Sequence, residues 1–158
     1  MKKIMFCLLL FPFFAFCDSV KIGDWIVDIK EDPITDEKTV RMFILDRTKS
    51  KSDGAAFIFN CKSVSLTSFV IDDLPKESER GDLTKVILRV DKNPPIEMNW
   101  TKEELGYEFS NINEVGNLIK NGKKLIIRAN YGKTKDFVFS LGGFAKSYEE
   151  LQKSCPAN

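Results

Sequence analysis

Residues 84–91, TKVILRVD, decide the fold. On an extended chain Val86, Leu88 and Val90 fall on one side and Ile87, Arg89 and Asp91 on the other, so one face suits a core and the other ends in charge. The same short pattern, rich in Val, Ile and Phe, recurs between charged or Gly/Pro/Asn/Asp stretches. It covers Trp25–Lys30, Thr39–Asp46, Ala55–Cys61, Val64–Ile71, Thr84–Val90, Ile96–Trp100, Lys123–Asn130 and Asp136–Leu141. These lengths are those of ordinary strands. The expected fold is α+β and mostly β: an antiparallel sandwich or curved sheet with two short helices and one disulfide.

Both helices come from segments that break the alternation. In NINEVGNLIKNG (residues 111–122), Asn111 stands as N-cap with Glu114 three residues on. Ile112, Val115, Leu118 and Ile119 follow at helical spacing, and Gly122 ends the run. After Gly143, FAKSYEELQKSC places Phe144, Tyr148, Leu151 and Cys155 at steps of four, three and four, which turns Cys155 toward the core.

The N-terminus reads as an address. MKKIMFCLLLFPFFAFC has two lysines and an apolar run before the polar sequence that begins at Asp18. At about 14 residues the run is shorter than the roughly 20 a membrane-spanning helix needs. Residues 1–17 are therefore expected to be a signal peptide and residues 18–158 a single exported β-rich domain, periplasmic or secreted, with no stable membrane span after cleavage. A lipid anchor on Cys17 is the rival processing, and the bulky Phe16 before it argues against that. Cleavage takes Lys2 and Lys3 from the 24 basic residues, leaving 22 against 23 acidic ones. Such a balance carries no electrostatic footprint for nucleic acid.

Of four cysteines, Cys7 and Cys17 belong to the leader, so Cys61 and Cys155 remain for the domain. In an oxidising compartment they are expected to pair. The inward-facing end of the last helix suits a thiol at the end of a strand. Two cysteines make half of a tetrahedral zinc shell, and CxxC is absent, so no metal and no cofactor is expected.

The chain has no histidine, which removes Ser-His-Asp and Cys-His nucleophiles and HExxH zinc sites. A glycosidase would need only two carboxylates. Adjacent Asp72 and Asp73 point apart on an extended chain, however, and Asp32, Asp36 and Glu37 read as turn residues around Pro33. No enzyme activity is expected. Arg89 and Arg128 each sit inside an apolar strand and want a partner: a carboxylate such as Asp91 or Asp136, or the anion of a ligand or partner protein. The charged loop from Asp72 to Asp82, with Lys76, Glu77 and Arg80, offers a second contact surface. Trp25 and Trp100 are core residues or exposed anchors.

Taken in order, several motifs look familiar together. They are Trp25, the DPITD turn (Asp32–Asp36), a strand ending in Cys61, ILRVD (Ile87–Asp91) with Trp100 after it, LIIR (Leu125–Arg128), and FSLGGF (Phe139–Phe144) leading to Cys155. This arrangement resembles the VasI/TagO-type proteins, small exported accessory proteins associated with bacterial type VI secretion and related envelope or prophage contexts. The resemblance implies an accessory or interaction protein of the cell envelope, with an envelope protein as partner, and no reaction. Binding of a small ligand or glycan, or inhibition of an enzyme, are the alternatives.

Overall fold

The computed structural model describes residues 17–46, 54–70 and 74–155. The expected leader lies outside them except for the backbone of Cys17, as do Ile71 to Asp73 and most of the loop after Asp46. Among the described residues, ten strands form one antiparallel sheet: β1 (Cys17–Ile22), β2 (Trp25–Glu31), β3 (Lys38–Leu45), β4 (Ala55–Asn60), β5 (Val64–Ser68), β6 (Leu83–Val90), β7 (Ile96–Glu103), β8 (Gly106–Phe109), β9 (Lys124–Tyr131) and β10 (Lys133–Ser140). Their spatial order is β1-β2-β3-β4-β5-β8-β7-β6-β9-β10. Two helices, α1 (Ile112–Ile119) and α2 (Phe144–Ser154), complete the fold. Of the two forms that the alternation allows, the chain takes the single curved sheet.

Curvature is forced by the inner face. Val86, Leu88 and Val90 are buried, as their alternation requires, and meet Trp25, Phe57, Phe59, Leu125, Ile127, Phe137 and Phe139 in one core. Strands far apart in sheet order touch across it: the Tyr131 hydroxyl of β9 donates to the Leu66 carbonyl of β5 at 2.8 Å, and the Tyr107 hydroxyl of β8 donates to the Asn130 carbonyl. Trp25 and Trp100 are both wholly buried, so neither is an exposed anchor. Trp25 meets Phe57, Phe59 and Phe144 edge to face, an arrangement that aromatic quadrupoles favour. Trp100 stacks on Phe109.

Both helices start as their sequences dictate. Asn111 Oδ1 accepts from the Glu114 N–H at 3.2 Å, and the Glu114 carboxylate in turn accepts from Asn111 Nδ2. In α2, Phe144, Tyr148 and Leu151 are buried, and the helix packs over β2 and β3. Its far end is fixed by the Cys61–Cys155 disulfide, with Cα atoms 5.6 Å apart. Among the described residues, no helix is long and apolar enough to cross a membrane.

Two strands lie beyond the sequence expectation. β1 begins at Cys17, the last residue of the expected leader, and pairs along β2 from Cys17↔Lys30 to Ile22↔Trp25. β8 is four residues long and joins the two halves of the sheet by pairing with β5 and β7.

On the outer face, Ser19, Asp28, Arg41 and Asn60 form one polar row across β1 to β4. The Asp28 side chain is only 6% exposed. Burial by itself would raise its pKa, but the Ser19 hydroxyl at 2.9 Å and the Arg41 guanidinium at 2.9 Å outweigh burial and hold the carboxyl below its usual range. A carboxylate whose pKa is lowered by folding stabilises the fold above its unfolded pKa of about 3.9, and that contribution is lost as pH falls through the lower folded value. Asp28→Asn is therefore expected to cost about 1 to 2 kcal/mol at pH 7, with Arg41 half-exposed and partly screened. Urea melts should show the variant and parent converging toward pH 2. A gap of equal size at both pH values would show that the charge of Asp28 is not what matters.

Candidate functional site

The residues singled out by the sequence do not converge on one site. Arg128 faces Asp136 across the β9–β10 ladder and is held by both carboxylate oxygens, with Nε–Oδ1 2.6 Å and Nη2–Oδ2 2.8 Å. Those hydrogen bonds, followed by the charge of Asp136, raise the arginine's pKa. Arg89 donates through Nε to the Asn93 carbonyl at 3.1 Å and so fastens the turn after β6. Arg80 reaches Glu104 at 3.5 Å. Lys76 and Glu77 are exposed at a single 3-10 turn, Glu77–Glu79. That loop is docked against β7, because Lys102 binds the Glu79 carboxylate at 3.1 Å and exchanges backbone hydrogen bonds with Gly81 and Asp82. Asp32, in the DPITD turn, accepts from the backbone N–H groups of Ile34 and Thr35, which lower its pKa. It serves as a turn residue.

Asp91 has an indirect role. It sits in the left-handed region at φ +52°. From there its carboxylate accepts from the backbone N–H groups of Lys123 (3.1 Å) and Lys124 (2.9 Å), while its own N–H donates to the Lys124 carbonyl. The start of β9 is thereby fixed, with two successive lysines at a set place.

That place borders a groove of about 400 Å³ where the two ends of the curved sheet come together. One wall is a cross-strand row on the outer face, Lys21–Ile26–Phe43, continued by Leu45. The other wall is Val138 and Ser140 of β10, with Lys123 and Lys124 beside them. Ile26, Phe43, Leu45 and Val138 are half-buried, and the three lysines are exposed. Among the described residues none of these lysines has an ion-pair partner. Lys30 and Arg41, by contrast, pair with Asp28, Lys102 with Glu79 and Arg128 with Asp136.

The groove is held shut at the base by contacts between distant parts of the chain. Ser140 Oγ donates to Asp24 Oδ2 at 2.6 Å, Trp25 Nε1 donates to the Ser140 carbonyl at 3.2 Å, and the Asp24 N–H donates to the Gly142 carbonyl at 2.9 Å. Further along, the Val138 N–H donates to the buried Asp46 carboxylate at 3.2 Å. β10 is an end strand, and an end strand normally offers its backbone to another chain. Here the Val138 donor and the Ser140 acceptor are already occupied, so the groove presents side chains: apolar surface below, ammonium groups above. Sequence reasoning missed it because its two walls come from residues 21–45 and 123–140, far apart in the chain. The one local signal is Lys123-Lys124 directly after a glycine turn.

No family model matches the chain, and no curated protein matches it. Among solved structures, it is similar to the crystal structure of invasion associated protein B from Bartonella henselae. The TM-score is 0.54 at 16% identity, over 84% of this chain and 93% of that one. The likeness is one of fold.

Proposed function

We propose that this protein is an exported, non-enzymatic accessory protein of a bacterial cell envelope that acts by binding, and that its binding surface is the groove between the ends of the sheet. The observation that carries the reading is the set of three lysines, Lys21, Lys123 and Lys124, that have no ion-pair partner among the described residues and stand over half-buried apolar side chains. Concave, mostly apolar clefts with a few polar groups are where proteins take ligands. The disulfide supports export, since such bonds persist in oxidising compartments. Binding is favoured over catalysis because the polar groups of the groove are ammonium ions and a serine hydrogen-bonded to a carboxylate, in a chain without histidine. The set can hold an anion. The resemblance to VasI/TagO-type proteins makes a type VI secretion apparatus the first machine to look for.

The test is a photo-crosslinking amino acid at Phe43 in intact, exporting cells, with the same residue at Lys76 as the comparison. The expected result is an adduct with an envelope component from position 43 and none from position 76. Adducts from position 76 alone would move the contact to the charged loop. A folded, exported protein with no adduct at either position would overturn the reading.

A further inference from the structure

We infer that the groove takes a single-chain amphiphile with an anionic head, the chemical class of the fatty acids and alkyl phosphates. The inference rests on the groove being the binding surface and names what occupies it. Ile26, Phe43 and Val138 give the apolar tail a half-buried bed, and a volume of about 400 Å³ is at the small-ligand end of the usual range of roughly 300 to 1,000 Å³. Lys123 and Lys124, set in place through their backbone by Asp91, and Lys21 across the groove supply the positive charge for the head. Asp24, fixed by Ser140 at 2.6 Å, also lines the groove. Against the three ammonium groups it leaves the groove net positive, a field suited to an anionic head. Addition of a peptide strand is the less suited occupant, because the β10 backbone groups that it would use are engaged by Asp46 and Trp25.

The experiment is calorimetric titration of the exported protein with decanoate below its micelle concentration, beside acetate, decyl phosphate and a neutral decyl glycoside. Decanoate should bind saturably, one to one, and more weakly as salt is raised. Acetate, which has no tail, and the glycoside, which has no charge, should not bind. Lys123→Glu with Lys124→Glu should weaken decanoate about tenfold or more while leaving the urea midpoint unchanged, since both side chains are exposed. Equal binding of decanoate and the glycoside, or an unaltered affinity in the charge-reversed variant, would overturn the inference. Decyl phosphate, whose head carries the greater charge, should bind at least as tightly as decanoate, and its failure to bind would overturn the anionic head. If decanoate fails while Phe43 still gives its envelope adduct, the ligand class is wrong and the binding surface stands; if both fail, the groove is not the site.

Discussion

Replacing Cys61 and Cys155 together by serine will lower the unfolding free energy by about 3 to 5 kcal/mol. The two cysteines are 94 residues apart. In the chain-entropy model, closing a loop of that length removes about 4 to 5 kcal/mol of freedom from the unfolded chain. A second part of the effect belongs to the folded protein. Phe144, Tyr148 and Leu151 hold α2 to the core by burial, but Cys155, just after the helix, is held by the bridge. Without it the last turn frays, and amide exchange there should accelerate first. The measurement is a pair of urea melts, oxidised against reduced for the parent and one melt for the double variant. The reduced parent and the variant should coincide. An unchanged midpoint in both would mean that burial of α2 alone holds the C-terminus, and the bridge would lose its structural role.

How far this fold can be read before it is seen depends on the range of each signal. Alternation is local, so Val86, Leu88 and Val90 announce β6, and Asn111 with Glu114 announces the start of α1; the structure places both where those residues indicate. The disulfide is legible because only two thiols remain once the leader is set aside. β8 has just Tyr107 and Phe109 to declare it, too few for a period to show. β1 is hidden because its first residue is also the last of the apparent leader. Strand order is a further step away. Nothing in the period of a strand says that β5 pairs with β8 across an intervening β6 and β7, because side-chain alternation fixes which face is buried and not which neighbour is chosen. The groove inherits that limit. Ile26, Phe43 and Val138 alternate as members of good strands, and they become a site only because the sheet curls until Asp24 meets Ser140, 116 residues later. Arg128 shows the opposite hazard: a charge within an apolar strand draws attention, and the ladder gives it Asp136 two atoms wide.

The closure that makes the groove is itself testable at two glycines. Gly23 and Gly143 both lie in the left-handed region, at φ +62° and +90°, and face each other where the β1–β2 turn meets the residues after β10. A Cβ on Gly143 would stand 2.3 Å from the Ile22 carbonyl oxygen, and one on Gly23 would stand 2.4 Å from that of Gly142. Both obstacles are backbone, so no side chain can rotate aside. Gly143→Ala should cost about 1 to 2 kcal/mol for the left-handed conformation alone. Parting the two segments would also stretch the Asp24 N–H to Gly142 bond and the Trp25 to Ser140 bond, each worth about 1 kcal/mol. The expected total is about 3 kcal/mol or more. Gly132 supplies the comparison, since it too is left-handed, at φ +69°, but has nothing within 4 Å of its would-be Cβ. Gly132→Ala should therefore pay the conformational part only, about 1 to 2 kcal/mol. Urea melts of the two variants separate the terms, and the near-ultraviolet circular dichroism of Trp25, which lies beneath the seam, should change in Gly143→Ala and not in Gly132→Ala. Equal losses with an unchanged tryptophan signal would mean that the two ends of the sheet yield to a methyl group. A groove with such compliant walls could not hold Lys21 opposite Lys123 and Lys124, so the same result would also remove the geometric basis for selective binding there.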